Sequence, residues 1–222
     1  STDGSLDPDF TAPVGVRAGL TKTGPGKLSA QLRMGYAWCL RQGYAGIVTI
    51  DGNGKDGVEA VADMAAKLEE GFDYVQGSRY LPGGVAENTP LERTIANRCI
   101  HAPVLSLAGR RWFTDTTNGY RAYSRRYLLD PRVQPFRDVF MRYELLFYLT
   151  ARAGQIGMKV GHVPVRAALG PDRGLRPGAG RRDRGRLAGA AGLRPAAPAF
   201  PRRPAGRLAG PARRRRRSLA GP

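Results

Sequence analysis

The amino-acid composition changes abruptly near Ala167, and this change limits how much of the chain can build a folded domain. Beyond that point the chain consists almost entirely of Ala, Arg, Gly, Pro and Leu. Residues 171–222 contain fifteen arginines and two aspartates, a net +13, which leaves only +5 of the total +18 for residues 1–170. We therefore expect a folded domain over residues 1–166 and a chemically different basic tail over residues 167–222.

The arginine-rich tail lacks the apolar periodicity of helices and strands. Prolines interrupt every candidate helix. The tail also has too little apolar surface to offset the conformational entropy that is lost on folding, and we therefore expect it to be disordered. Two origins fit the composition: GC-rich codons read out of frame, or a basic arm whose run Arg213–Arg217 attaches to nucleic acid or anionic lipid by nonspecific charge. A basic nucleic-acid-binding protein is thus an alternative function, although the interleaved aromatic and basic residues of an RNA-binding sheet are absent.

Composition also excludes several classes of protein. No stretch approaches the ~18–20 uninterrupted apolar residues of a membrane-spanning helix. Two cysteines, Cys39 and Cys99, are too few for a disulfide-rich secreted scaffold. With only two histidines, His101 and His162, we do not expect a closed zinc site of Cys and His ligands.

Helix and strand patterns alternate in the first half of the folded part. Apolar residues at helical spacing predict a helix over 28–39 and another over 58–68. The unbroken β-branched run Ile47–Ile50 predicts a strand buried on both faces, and Phe72–Gln76 predicts the next strand. Because crossover helices join parallel strands in this order, we expect an α/β fold with a doubly wound, mostly parallel sheet.

The second half of the folded part continues with mixed elements. A helix is expected over 91–107, with a break near Pro103 because proline lacks the N–H that a helix needs. Residues 112–123 combine loop and short-strand patterns. A strongly apolar helix is expected over 140–153, and a final strand over 158–165.

An acidic turn follows the first predicted strand and is the most informative feature for function. Ligands of open α/β sheets bind where strands end and loops form a crevice. Asp51 and Asn53 are separated by one residue, and Asp56 follows closely, so their oxygens could hold a hard cation such as Mg²⁺ or Mn²⁺. An ordinary turn with Asp and Asn caps is the alternative interpretation.

Three further clusters bear on the same chemistry. Arg79 follows the next strand in Gly77-Ser78-Arg79-Tyr80, where a guanidinium suits phosphate oxygens, although a surface arginine is equally expected. The segment 115–121 gathers a carboxylate, two hydroxyls and an amide, which could seat a general base or form a turn. Gly24-Pro25-Gly26-Lys27 precedes a helix and could present backbone N–H groups and an ammonium to an anion.

Taken in order, these motifs resemble those of one enzyme family. The series is Ser1-Thr2-Asp3-Gly4-Ser5, Gly26-Lys27, Asp51-x-Asn53, Gly77-Ser78-Arg79-Tyr80, Asp115-Thr116-Thr117-Asn118-Gly119-Tyr120-Arg121 and Tyr143-Glu144-Leu145. It resembles the family-2 glycosyltransferases of the GT-A fold, and within them the bacterial enzymes similar to dolichyl-phosphate mannosyltransferase and other polyprenyl-phosphate sugar transferases. The resemblance covers residues 1–165.

The resemblance implies an activity and a set of site residues. The activity is the metal-assisted transfer of a sugar from a nucleotide-diphosphate donor to a polyprenyl-phosphate or saccharide acceptor. Implied ligands of Mg²⁺ or Mn²⁺ are Asp51, Asn53 and Asp56, where the neutral Asn53 departs from the second aspartate of the family. Arg79 and Asp115 are the implied catalytic residues. Implied donor and phosphate contacts are Asp3, Lys27, Ser78 and Arg79, and the implied acceptor-side residues are Asn118, Arg121 and Glu144.

The resemblance also carries expectations about the extent of the domain. Ser1–Ser5 corresponds to the second half of a longer family motif, so we expect an incomplete GT-A domain that lacks the first strand and is poorly active or inactive by itself. The implied location is cytoplasmic, with peripheral contact to the cytoplasmic face of the inner membrane. No specific nucleic acid is expected as a partner.

Overall fold

A computed structural model of the chain describes residues 14–52, 56–87 and 89–168. The predicted site residues Asp3 and Asn53, and the tail from residue 169 onward, lie outside these ranges. The helices are α1 (Leu28–Arg41), α2 (Ala60–Glu69), α3 (Leu91–Ile95), a π-helical turn (Ala96–His101), α4 (Ala102–Gly109), α5 (Arg125–Leu128) and α6 (Glu144–Gln155). The strands are β1 (Gly46–Thr49), β2 (Tyr74–Ser78), β3 (Val85–Glu87), β4 (Arg121–Ser124), β5 (Val160–Pro164) and β6 (Arg166–Ala168).

The main sheet confirms the α/β class but differs from the expected strand pairing. In the described ranges its four strands lie in the order β1-β4-β2-β5. Strand β4 runs antiparallel to both neighbours, whereas β2 and β5 are parallel. The alternation of helices and strands predicted the common direction of β1, β2 and β5. It did not predict that β4, which arrives from the loop after α4, would insert antiparallel between β1 and β2.

Helices cover both faces of this sheet, because successive side chains of a strand point to opposite sides. Tyr74 and Tyr123 lie in a core with residues of α1 and α6. The adjacent residues Val75 and Ala122 lie in a second core with Met64 of α2. Each core closes one face of the sheet, as expected of a doubly wound fold.

Strand β1 is less buried than the sequence predicts. Ile47 is buried, but Val48 and Thr49 are half-buried and Ile50 is exposed. The expectation of a strand buried on both faces is therefore wrong. The reason is the position of β1, which pairs with β4 on one side and forms an edge of the sheet within the described ranges.

A small second sheet was not predicted. Strands β3 and β6 pair in parallel, and Ala167 of β6 also forms an antiparallel bridge with Asp56. The short helix α5 was missed as well, although Ser124 caps it by accepting a hydrogen bond from the Tyr127 N–H. Such short elements depend on partners that are distant in sequence, so no local pattern announces them.

The expected helix over 91–107 is present and is interrupted, as predicted. The interruption is the π-helical turn, which ends immediately before the turn that contains Pro103. The helix expected from Phe140 begins only at Glu144, while Phe140 itself is buried in the loop before it. Within residues 14–52, 56–87 and 89–168, no helix is both long and apolar enough to cross a bilayer.

Two glycines offer a matched test of helix packing. A side chain at Gly154 in α6 would collide with the carbonyl oxygen of Gly109 and reach 3.0 Å from its carbonyl carbon, whereas Gly35 in α1 faces open space. Gly154→Ala is expected to destabilise the fold by about 1–3 kcal/mol through overpacking of α6 on α4. Gly35→Ala is expected to stabilise it by about 0.5–1 kcal/mol, because alanine restricts the unfolded chain and favours helix. Urea unfolding of both variants measures the difference, and equal shifts would contradict the close α4–α6 contact.

Candidate functional site

A buried ion pair joins the end of β2 to the loop before β4. Arg79 follows β2 directly, and its Nε and Nη2 donate to Asp115 Oδ2 at 2.7 Å and Oδ1 at 2.9 Å. The side chains are 8% and 0% exposed. Burial alone would lower the pKa of Arg79, but the hydrogen bonds and negative charge of Asp115 outweigh it and raise that pKa. The guanidinium is therefore a permanent, oriented positive charge at this edge of the sheet.

The Asp115 carboxylate is fully occupied by hydrogen bonds. Oδ2 also accepts the backbone N–H of Arg79 at 3.1 Å, and Oδ1 accepts Asn97 Nδ2 at 2.9 Å. Two good bonds on each oxygen use the lone pairs that a carboxylate offers. The sequence predicted Asp115 as a candidate general base, but a base needs an accessible oxygen near the acceptor. In this geometry Asp115 holds Arg79 instead.

The acidic turn begins with Asp51, which follows β1 and is exposed. Its carboxylate lies against the backbone of Gly119, since a Cβ at that glycine would be 2.9 Å from Asp51 Oδ1. Thr49 strengthens the same junction, because its Oγ1 donates to the carbonyl oxygens of Gly119 and Arg121, each at 3.1 Å. The absence of a side chain at Gly119 therefore lets the acidic turn approach the 115–121 loop.

Asp56 connects the acidic turn electrostatically to the ion pair. Burial raises the pKa of Asp56, and the negative charge of Asp51 raises it further, while the charge of Arg79 lowers it. The pKa of Asp56 is therefore sensitive to the charges of Asp51, Arg79 and Asp115. Backbone bonds support the turn from outside, because Gly57 N–H donates to the carbonyl of Arg166 at 2.9 Å.

The oxygen-rich acidic turn is chemically suited to a hard divalent cation. Two neighbouring carboxylates, one of them with a raised pKa, repel each other, and a bound cation would relieve that repulsion. In the described ranges no group of three or more His, Cys, Asp or Glu side chains is arranged to hold a metal ion. Asp51 and Asp56 therefore supply at most two carboxylates, and the remaining positions would fall to substrate phosphates or water.

Two predicted site residues, Ser78 and Arg121, are buried next to the ion pair. The Ser78 hydroxyl bonds to Thr114 Oγ1 at 2.7 Å and accepts the Tyr80 N–H. Arg121 has no exposed surface, and its guanidinium donates to the carbonyl oxygens of Asn118, Thr116 and Leu146 and to the Thr150 hydroxyl. The predicted acceptor-side role of Arg121 requires a surface that it does not have here. Its contacts instead fix the 115–121 loop from below.

Asn118 is also buried, and half of its amide is used internally. Its Oδ1 accepts the backbone N–H of Tyr120 at 3.0 Å, as in a local turn. Its buried Nδ2 has no hydrogen-bond partner among the described residues. A buried amide donor without a partner is uncommon, so this group remains a candidate for a ligand contact.

Lys27 and Glu144 both bond to the backbone of Met141, where the chain enters α6 beside the start of α1. The Lys27 backbone N–H donates to the Met141 carbonyl at 2.6 Å, and the Glu144 carboxylate accepts the backbone N–H groups of Met141 and Arg142 at 3.2 and 2.6 Å. The backbone N–H of Glu144 itself, and those of Arg142 and Met141, donate to this carboxylate and lower its pKa. Both side chains are exposed. No contact between described residues joins this pair directly to Arg79 or Asp51.

Sequence reasoning missed Asn97 and Arg98, and it gave the Thr117 hydroxyl no individual role. Asn97 and Thr117 hydrogen-bond the ion pair, the latter through Arg79 Nη2 at 3.1 Å. Arg98 places its guanidinium carbon 5.6 Å from the Tyr80 ring centroid, close to the 5.5 Å of Arg79. Asn97 could hardly have been found from the sequence, because a polar residue in a predicted helix is usually assigned to the solvent-facing side.

Comparison with known proteins finds similarity over part of the chain. No family model matches the chain. A curated relative, the polyprenol monophosphomannose synthase of Mycolicibacterium smegmatis, is 34% identical over 107 residues, which are 48% of this chain. The chain spans 40% of the length of that relative. The resemblance inferred from the motifs is thus confirmed: over about half its own length the chain is similar to a polyprenol monophosphomannose synthase.

Proposed function

We propose that this domain belongs to a glycosyltransferase that moves a sugar from a nucleotide-diphosphate donor to a polyprenyl phosphate. The observation that carries the proposal is the buried Arg79–Asp115 pair together with the Asp51–Asp56 turn. The pair offers an oriented guanidinium and the turn offers carboxylate oxygens for a cation, both where strands of the sheet end. The similarity to the mycobacterial synthase supports the same reaction. Nothing in the described ranges favours nucleic-acid binding, which rests on the tail alone.

The acidic turn is the proposed metal site. Asp51 and Asp56 would hold Mg²⁺ or Mn²⁺, together with Asn53 by its position in the same turn. When bound, the cation neutralises charge that develops on the departing nucleoside diphosphate. The contribution of Gly119 is steric, because the absence of a side chain there lets the Asp51 carboxylate lie against the 115–121 loop.

Arg79 is the proposed contact to the donor diphosphate. Asp115 and Thr117 occupy its Nε and Nη2, and the hydrogen bonds between described residues leave Nη1 available to a phosphate oxygen. A guanidinium that is already held in place loses less entropy on binding than a free surface arginine. Arg98 adds a second positive charge near the Tyr80 ring.

The saturated Asp115 carboxylate favours a phosphate acceptor over a saccharide hydroxyl. A hydroxyl must lose its proton to a base when it attacks, whereas a polyprenyl phosphate is already ionised at neutral pH. Its oxygen attacks the anomeric carbon, the bond from that carbon to the donor diphosphate breaks, and the nucleoside diphosphate leaves with the electron pair. Positioning by arginines is then more useful than a base.

Peripheral contact with a membrane would bring the lipid acceptor to this site. The segment α3–π–α4 and the loop after it expose the apolar side chains Leu91, Ile95, Ile100, Val104, Leu107 and Trp112. The same stretch exposes the arginines Arg93, Arg98, Arg110 and Arg111. An apolar face with a basic rim fits the interface of an anionic bilayer, and Asn97 connects this segment to the Arg79 pair.

A transfer assay tests the proposed function. The chain is mixed with Mn²⁺, GDP- or UDP-linked hexoses including GDP-mannose, and a polyprenyl phosphate in vesicles of phosphatidylglycerol or phosphatidylcholine. Because the domain is expected to be poorly active by itself, only slow formation of a glycosylated lipid is expected, and it should be faster in the anionic vesicles because the basic rim concentrates the chain there. A protein that binds neither nucleotide sugars nor nucleoside diphosphates in the presence of Mn²⁺ would contradict the proposal.

A further inference from the structure

Asn97 is buried beside the Arg79–Asp115 pair although it belongs to a largely exposed segment. Its side chain is 1% exposed, and its Nδ2 donates to Asp115 Oδ1 at 2.9 Å. Its Oδ1 accepts a longer bond from the Thr116 hydroxyl, at 3.4 Å. Its neighbours Arg98 and Cys99 are exposed. Asn97 is therefore an inward-pointing polar residue whose strongest contact is the carboxylate that holds Arg79.

The π-helical turn decides which residue of the segment faces Asp115. The buried residues of α4 include Ala102 and Ser106, four positions apart, as one face of an α-helix requires. A continuous α-helix would place Arg98 in line with them, four positions before Ala102. The wider π-helical turn accommodates one additional residue, so the buried position falls on Asn97 instead. A neutral amide thus lies where a guanidinium would otherwise be.

The exchange of a charged donor for a neutral one matters for the ion pair. A second guanidinium at Asp115 would compete with Arg79 for the same carboxylate oxygens. The Asn97 amide fills the remaining position on Oδ1 without bringing a charge. Arg79 is consequently the only cation hydrogen-bonded to Asp115 in the part of the chain that the structure describes.

We propose that Asn97 is a positioning residue for Arg79. Its amide fixes the plane of the Asp115 carboxylate, and that plane sets the direction of the guanidinium that Asp115 binds through Nε and Nη2. Asn97 thereby directs Nη1 of Arg79 toward the donor diphosphate without touching the donor. The inference rests on the proposed function, because the contact between Arg79 and the diphosphate is part of that function.

Binding measurements on the full chain test this role. Asn97→Ala is expected to weaken binding of GDP, UDP and inorganic pyrophosphate, measured by calorimetry with Mn²⁺, by about tenfold, the effect of a lost hydrogen bond to a charged group. Asn97→Gln retains the amide donor and should recover part of the affinity. Cys99→Ala, on the same turn with an exposed side chain, is the matched control and should bind like the wild type. Urea unfolding of each variant checks that it is folded under the conditions of the binding measurement.

A double-mutant cycle separates positioning from a merely structural effect. If Asn97 acts through Arg79, the variant Arg79→Met with Asn97→Ala should bind pyrophosphate no more weakly than Arg79→Met alone. Losses that add independently, or an Asn97→Ala protein that binds within twofold of the Cys99→Ala control, would overturn the role of Asn97 and leave the proposed function intact. A wild-type chain that binds none of the three probes would instead contradict the proposed function, and the role of Asn97 with it.

Discussion

Replacing Arg79 with methionine is expected to lower the free energy of unfolding by about 3–5 kcal/mol and to weaken binding of nucleoside diphosphates and pyrophosphate by about a hundredfold. The stability loss arises because Asp115 has no exposed surface and would be left as a buried carboxylate without its cation. The binding loss arises because methionine offers no donor to a phosphate oxygen. Urea unfolding at neutral pH and calorimetric titration with GDP and UDP measure the two effects.

A second substitution separates these two effects. In the double variant Arg79→Met with Asp115→Asn, the buried position no longer carries a charge, and its amide can still accept the hydrogen bond from Asn97. We therefore expect most of the lost stability to return while nucleotide binding stays as weak as in Arg79→Met. Stability that does not recover would show that the contribution of Arg79 to folding comes from packing and not from compensation of the Asp115 charge.

Asp51→Ala is expected to remove the dependence of donor binding on Mn²⁺ with little effect on folding. Removing a residue that only hydrogen-bonds to a metal ligand commonly reduces metal affinity about 10–100-fold. Removing a ligand itself should therefore reduce the affinity for Mn²⁺ by at least about 100-fold. The side chain is exposed, and we expect the free energy of unfolding to change by less than about 0.5 kcal/mol. Titrations of GDP and UDP with and without Mn²⁺ measure the effect.

Glu69→Ala is the matched control for the Asp51 variant, since it removes an exposed carboxylate at the end of α2, away from the acidic turn. It should retain Mn²⁺-dependent binding, because it changes net charge equally but leaves the proposed ligands in place. If both variants lose the same affinity, the Asp51 effect would reflect overall charge. If neither loses affinity, Asp51 is not a metal ligand.

The elements that the sequence predicted well are those whose pattern is local. Helices α1 and α2 and strands β1 and β2 lie within a few residues of their expected positions, because apolar spacing and terminal glycines such as Gly43 and Gly71 define them. The antiparallel insertion of β4 was not predictable in this way. Its register depends on pairing with two strands that lie far away in the chain.

The site was predictable at the level of residue type and less so at the level of role. Asp51, Arg79 and Asp115 follow strands or occupy the loop before one, and their proximity was expected from the rule that strand ends form the crevice. The burial of Arg121 was not, because an arginine in a polar loop looks the same in sequence whether it faces solvent or donates to backbone carbonyls. Asn97 depends on a π-helical turn that no residue pattern announces.

The bridge between Asp56 and Ala167 has a consequence for biosynthesis. The turn that carries Asp51 and Asp56 is braced by backbone bonds to β6, at the far end of the described range. On a translating ribosome this brace is missing until Arg166 and Ala167 have emerged from the exit tunnel. Long-range closure of this kind is slow compared with local helix formation. Helices α1 and α2 can therefore form on the nascent chain well before the acidic turn acquires its final shape.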